Sequence, residues 1–362
     1  MRILSVMTQV ETAGAQAVAI DLHRAFKRRG IESKLVFLYR KDQLAFPQND
    51  YECCVEGQPR GLGAMQVFSR LRRVWRDFAP DVVLAHTWYS INYCALGKIS
   101  GLPGLMLPVH HNLYGIYPAS SRLFDRLCRR IGVYPRELAI AEAVDRSLPH
   151  VRIPRAIVPN GQNLQPSPLS KQEARAVFGL PSDIFLVGNI GRLVEQKNQM
   201  FLVELLARVP PVHLVILGRG ELRDALLSRA EALGVKDRLT ILPGIVREQV
   251  PDILAALDLF ALPSLEEGQS IAMLEALGLG VPFIGNDVPT ISDVLNTGNG
   301  SAGIVLPLAL DRWQEEITRL VSSPAALEQL ATAACAQGQR FSVDTMVDRY
   351  LDVAKNSFRP AV

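Results

Sequence analysis

Apolar runs of strand length alternate with amphipathic stretches of helix length along this chain, and the alternation occurs in two successive copies. A helix between two strands returns the chain to the same sheet edge, so this order calls for parallel sheets with helices on their faces. In the first copy, strands are expected at Ile3–Met7, Ser33–Leu38, Val82–His86, Leu105–Val109 and Ala139–Ala141. Ala19, Leu22, Ala25 and Phe26 recur at helical spacing and predict a helix over Ala15–Arg29, stopped by Gly30. Asn160-Gly161 reads as a turn, and Gln162–Ser170, rich in Pro, Ser, Asn and Gln, as a linker. The second copy then places strands at Phe185–Asn189, His213–Leu217, Leu239–Leu242, Leu259–Leu262 and Pro282–Gly285, with helices including Glu221–Leu233 and Gln249–Leu257.

The expected fold class is therefore α/β, with two Rossmann-like domains over 1–162 and 163–345. A last helical segment, 346–362, could pack back on the first domain. The chain's 362 residues suit this division better than a single core. Ligands of such sheets bind beyond the carboxyl ends of the strands. With two such edges facing each other, the cleft between domains is the expected site.

Composition narrows the setting. No segment approaches the roughly 20 apolar residues that span a bilayer, and Met1–Met7 reads as a first strand rather than a secretion signal. Cys53, Cys54, Cys94, Cys128 and Cys335 form neither an even disulfide framework nor a C-x-x-C pair, so a reducing cytoplasm is expected. Net charge is +3, yet residues 1–170 carry 22 Lys/Arg against 13 Asp/Glu, and the remainder carries 17 against 23. The basic half either meets something anionic or is simply a solvated surface.

Two segments of the second copy carry the chemistry. Pro263-Ser264-Leu265-Glu266-Glu267-Gly268-Gln269-Ser270-Ile271-Ala272-Met273-Leu274-Glu275 follows a strand and opens a helix near Gln269 or Ser270. The first N–H groups of a helix lack internal partners and its dipole is positive there, which suits a phosphate. Glu267 precedes that helix and Glu275 lies about a turn and a half inside it, so two carboxylates could grip two sets of hydroxyls. The bland alternative is a capping Glu267 and a solvated Glu275. Upstream, Gly188-Asn189-Ile190-Gly191-Arg192-Leu193-Val194-Glu195-Gln196-Lys197-Asn198 sets two cations on a βα loop, as a diphosphate leaving group requires. Gly218-Arg219-Gly220-Glu221-Leu222-Arg223 is only part of a dinucleotide fingerprint and lacks the acid of the next strand.

Together these segments resemble the GT-B glycosyltransferases called family 4, marked by the E-x7-E element that Glu267 and Glu275 form. Gly218-Arg219-Gly220, Leu242-Pro243-Gly244, Asp258 and Pro159-Asn160-Gly161 extend the likeness along the chain. The resemblance implies a retaining, metal-independent transfer of a sugar from a nucleoside-diphosphate donor, UDP or GDP, to a glycan or lipid-linked hydroxyl, with no cofactor. It implies that Arg192 and Lys197 bind the diphosphate, Glu267 the donor sugar and Glu275 the ribose. Gly218, Ile245, Gln269, Ser270 and Ile271 would complete the nucleotide site. The absence of a D-x-D motif agrees with metal independence. A nucleotide-sugar epimerase of the same fold is the alternative.

The first copy matches more loosely. Thr12-Ala13-Gly14-Ala15-Gln16 has one of the family's usual two glycines, Gly14. Pro80–His86 looks like its strand-plus-histidine element, and either His110 or His111 falls where the family places a histidine by the reacting sugar. Ala141 stands where serine is common. Arginines flank apolar faces at Ser69–Phe78 and Ser121–Val133; these are either ordinary helices packed on the sheet or a basic surface for anionic lipid on the inner face of a membrane.

Overall fold

In the computed structural model every residue is described except 12, 42–47, 151, 164, 210, 245, 297, 299 and 359–362. The chain forms two compact units, Met1–Gly161 with Ser342–Val362, and Gln162–Phe341.

The first unit runs β1 (Arg2–Val10), α1 (Gly14–Arg28), β2 (Glu32–Arg40), β3 (Glu52–Glu56), α2 (Gly63–Phe78), β4 (Val82–His86), α3 (Thr87–Ile99), β5 (Leu105–His110), α4 (Ala119–Arg130), β6 (Glu137–Ala139), α5 (Glu142–Ser147) and β7 (Arg155–Ile157). Its strands pair in parallel in the order β3-β2-β1-β4-β5-β6-β7. Order reverses beside β1, so the carboxyl ends of β1, β4 and β5 lie together at the switch point. Val6, Leu38, Val83, Ala85 and Met106 from the sheet bury against Val67, Leu71 and Trp75 of α2. The Trp75 indole N–H donates to the Pro103 carbonyl at 2.8 Å, which satisfies the polar atom of a fully buried ring.

The second unit runs α6 (Lys171–Val177), β8 (Phe185–Ile190), α7 (Gln199–Leu206), β9 (Val212–Leu217), α8 (Arg223–Ala232), β10 (Leu239–Leu242), α9 (Val250–Ala256), β11 (Leu259–Leu262), α10 (Ile271–Gly278), β12 (Phe283–Asn286), α11 (Pro289–Leu295), β13 (Ile304–Leu306), α12 (Leu310–Val321) and α13 (Pro324–Gly338). The sheet order is β10-β9-β8-β11-β12-β13, again parallel in every pair. Here β8 and β11 flank the switch point. Asp258 fixes their base: one carboxylate oxygen accepts from the Leu186 N–H at 2.7 Å and from Arg175 at 2.6 Å.

The last helix, α14 (Val343–Ser357), belongs to the first unit. Its start is set by Ser342, whose hydroxyl accepts from the Thr345 N–H at 3.1 Å, so the chain re-enters the first unit at 342 rather than 346. Buried Met346, Val347 and Tyr350 seat it, and Arg29 at the end of α1 pairs with Asp344 (3.0 Å) and Asp348.

The two arginine-flanked helices part company. Val67, Leu71 and Trp75 of α2 are core, so its apolar face is spoken for. On α4 the buried residues are Ser121, Asp125, Cys128 and Arg129, whereas Leu123 and Leu127 face outward. Among the described residues no helix is long and apolar enough to cross a membrane.

Candidate active site

In the second unit, the loops after β8 and β11 are laced together. The Leu265 N–H donates to the Gln196 carbonyl (2.9 Å), and the Gln196 side-chain amide donates to the Glu266 carbonyl (2.9 Å). Asn198, in the left-handed region at φ 51°, donates its side-chain amide to the Pro263 carbonyl at 3.2 Å. This bracing brings the Lys197 ammonium 2.6 Å from a Glu267 carboxylate oxygen, with the two side chains 15% and 6% exposed. A pair this short and this shielded is charge-assisted on both sides. The Thr290 hydroxyl donates to the Glu267 carbonyl (3.0 Å) and Asn286 to that of Ser264 (2.8 Å), so the segment is held from its other flank as well.

The β8 loop is itself supported from below. Gln199 donates to the Arg192 carbonyl (2.9 Å) and to the Asn189 side-chain oxygen (3.3 Å), while Asn189 donates to the Ala261 carbonyl (2.8 Å). Arg192 is exposed, so its backbone is fixed while its guanidinium reaches solvent. Gly218 is required by close approach: a Cβ there would fall 1.9 Å from the Gly191 carbonyl oxygen.

Helix α10 begins at Ile271. Ser270 caps it, its hydroxyl accepting from the Met273 N–H at 3.3 Å, and Gln269 and Ser270 are both buried. The cap is thus serine, not Glu267, and Glu275 is not solvated: it is 4% exposed and lies 3.0 Å from Arg247. Both halves of the bland alternative fail. Arg247 is the partner that sequence reasoning missed, because it sits in an unpatterned turn 28 residues upstream of Glu275. Ile245 lies outside the described residues.

In the first unit, three histidines stand at the carboxyl ends of neighbouring strands. His86 closes β4, His110 closes β5, and His111 follows. Nδ1 of His86 and Nε2 of His111 are 3.0 Å apart, one nitrogen donating and the other accepting. Burial drives the His86 pKa well below its ordinary value and His111 to about 4. Both rings are therefore neutral near pH 7. His110 turns elsewhere: its Nδ1 lies 3.0 Å from the Tyr117 hydroxyl, and its Nε2 faces Glu137 at 4.0 Å. Burial also drives His110 down and pushes Glu137 up to about 7, even though Arg129 lies 2.7 Å from that carboxylate. Gly14 is exposed at the start of α1, just past β1. Ala141 is the N-cap of α5 and offers no side-chain bond there.

Two family descriptions match, one on each unit: "Glycosyltransferase Family 4" over residues 12–165 and "Glycosyl transferases group 1" over residues 170–337. The chain belongs to glycosyltransferase family 4. Among curated relatives, the D-inositol 3-phosphate glycosyltransferase of Mycolicibacterium smegmatis is 31% identical over 234 residues, 62% of this chain and 52% of that protein. The chain thus spans about half the length of that curated relative. Among solved structures, Anabaena HepE in complex with UDP and glucose superposes with a TM-score of 0.85 at 18% identity, covering 98% of this chain and 100% of that one. WaaG, a glycosyltransferase involved in lipopolysaccharide biosynthesis, gives 0.74 at 16% identity, covering 97% and 99%. At such identities the likeness is one of fold, and the fold is GT-B.

Proposed function

We propose that this chain is a retaining, metal-independent glycosyltransferase that moves a sugar from a UDP-sugar to a hydroxyl of a glycan or lipid-linked acceptor, in synthesis of a polysaccharide or lipopolysaccharide-type product. Its place is the cytoplasm, against the inner face of a membrane. The observation that carries the reading is the Lys197–Glu267 contact at 2.6 Å, fixed by two laced loops at the carboxyl edge of one sheet.

Negative charge grows on the diphosphate as the sugar–phosphate bond breaks. Arg192, Lys197 and the first N–H groups of α10 would oppose that charge from a preorganised frame, so no reorganisation is required as it develops. These are protein cations, which supply the role a metal would otherwise take. Glu267, held by Lys197, would accept hydrogen bonds from the donor sugar, and Glu275 from the ribose. Attack on the face that the diphosphate leaves would keep the anomeric configuration, with the leaving phosphate taking the acceptor's proton. The complex of HepE with UDP and glucose supports the choice of uracil nucleotide.

The test is incubation with UDP- and GDP-sugars, with and without lipid-linked acceptors, followed by NMR of the product's anomeric proton. An α-configured product from an α-configured donor is expected. An inverted product would overturn the retaining reading, and turnover of donor in the absence of acceptor with a changed sugar ring would point to epimerisation instead.

A further inference from the structure

Helix α4 is packed inside out. Cys128 and Phe124 touch the core, but the rest of its inward face is polar: Asn92 donates to the Ser121 hydroxyl (3.0 Å), Tyr114 donates to Asp125 (2.9 Å), and Arg129 bridges Asp125 (2.6 Å) and Glu137 (2.7 Å). Charge-assisted bonds thus do much of the anchoring that apolar burial does for α2. Its outward face carries Leu123, Leu127 and Ile131, spaced four apart and 71%, 52% and 56% exposed. Isolated exposed apolar side chains are ordinary, but an i, i+4, i+8 stripe of them opposite a largely polar inward face is not.

One residue away around the helix runs a second stripe, Arg122, Arg126 and Arg130, with Arg136 following. Arg126 and Arg130 are exposed and the other two half-exposed. From Gly115 to Arg136 the one acid is Asp125, and it is buried. The outer surface of this segment is therefore apolar and cationic, with no carboxylate to neutralise it.

We propose that the outward face of α4 seats the protein on an anionic lipid bilayer. The inference rests on the membrane location put forward under the proposed function and names the surface responsible. A helix lying flat would sink the Leu123–Leu127–Ile131 stripe to the acyl boundary, while the arginines reach sideways to headgroup phosphates. A surface that is anionic throughout and apolar just beneath matches this pattern. A second copy of the same face does not, since it would set like-charged stripes against each other.

Co-sedimentation of the full-length protein with vesicles of phosphatidylcholine alone, or of phosphatidylcholine with phosphatidylglycerol, tests the idea. Wild type should favour the anionic vesicles, and the preference should fade as salt rises. The double variant Leu123→Ser/Leu127→Ser should lose at least tenfold in partitioning. Arg126→Glu/Arg130→Glu should lose the anionic preference. Because all four side chains are exposed, UDP binding by calorimetry should be unchanged in both variants, which separates this surface from the nucleotide site. Wild-type partitioning in the leucine variant would overturn α4 as the seat while leaving a membrane location intact. No anionic preference in wild type would overturn both. A wild-type dimer that the leucine variant dissolves would assign the face to a second copy and overturn the lipid reading.

Discussion

At the level of single residues, the E-x7-E spacing was legible because it is a local pattern, whereas the groups that hold each carboxylate were not. Lys197 could be paired with a phosphate by its loop, but nothing in the sequence says that it rests on Glu267, 70 positions away. Arg247 is the sharper case. It lies 3.0 Å from Glu275 across a contact that no motif encodes. A guanidinium on the carboxylate that the ribose would use both orients that carboxylate and competes for it. Removing Arg247 leaves Glu275 buried with one fewer cation beside it, so its geometry loosens. Arg247→Ala should weaken UDP binding about five- to fiftyfold, the range of one lost interaction worth roughly 1–2.3 kcal/mol. Glu275→Ala should weaken it as well, and the double variant should fall short of the product of the two, since both act on one contact. Calorimetry with UDP checks this; fully multiplicative losses would mean that the two side chains act separately.

At the level of elements, the long, strongly patterned strands were readable, and β3, β7 and β13 were not. Glu52–Glu56 begins and ends on glutamate, and Arg155–Ile157 and Ile304–Leu306 are three residues each, too short for any periodicity to register. Such strands exist because a neighbour already offers a paired edge. The histidines at the ends of β4 and β5 were visible as candidates, but their division of labour was not, because it depends on Tyr117, Glu137 and the adjoining strand end. That division has a consequence for pH. His86, His110, His111 and His23 are all held neutral by burial, with His23 and His111 at about 4. In the unfolded chain each takes a proton near pH 6.5. The folded state therefore binds fewer protons than the unfolded state between about 6.5 and 4, and stability is present above that window and lost as pH falls through it. Glu137, raised to about 7, works the other way, taking its proton earlier in the folded state and offsetting about one histidine. The melting temperature of the first unit should fall as pH drops from about 6.5 to 5, with stability lost at up to about 1.4 kcal/mol per pH unit for each uncompensated histidine. His111→Asn should flatten the slope, measured by calorimetry in a series of buffers. A flat wild-type profile would mean that the histidines titrate in the folded state.

For the whole molecule, the doubled α/β pattern announced two Rossmann-like halves, and the two sheet orders bear it out. A last helix that could return to the first unit was legible; what the pattern could not show is that the return begins at Ser342 rather than 346, since that depends on the Ser342 cap and on tertiary burial of Val343, Met346, Val347 and Tyr350 rather than on any break in the alternation. Nor could it show that α2 and α4, so similar as sequences, face opposite ways. We propose that the laced loops of the second unit form the diphosphate site. Calorimetric titration of UDP and of uridine into wild type, Arg192→Ala and Lys197→Met tests that claim most directly. Wild type should bind UDP far more tightly than uridine. Each variant should lose about tenfold to a hundredfold toward UDP, as expected for one charge-assisted contact of roughly 1.5–3 kcal/mol, with little change toward uridine. Equal binding of UDP and uridine by wild type, or variants that bind UDP as wild type does, would contradict it.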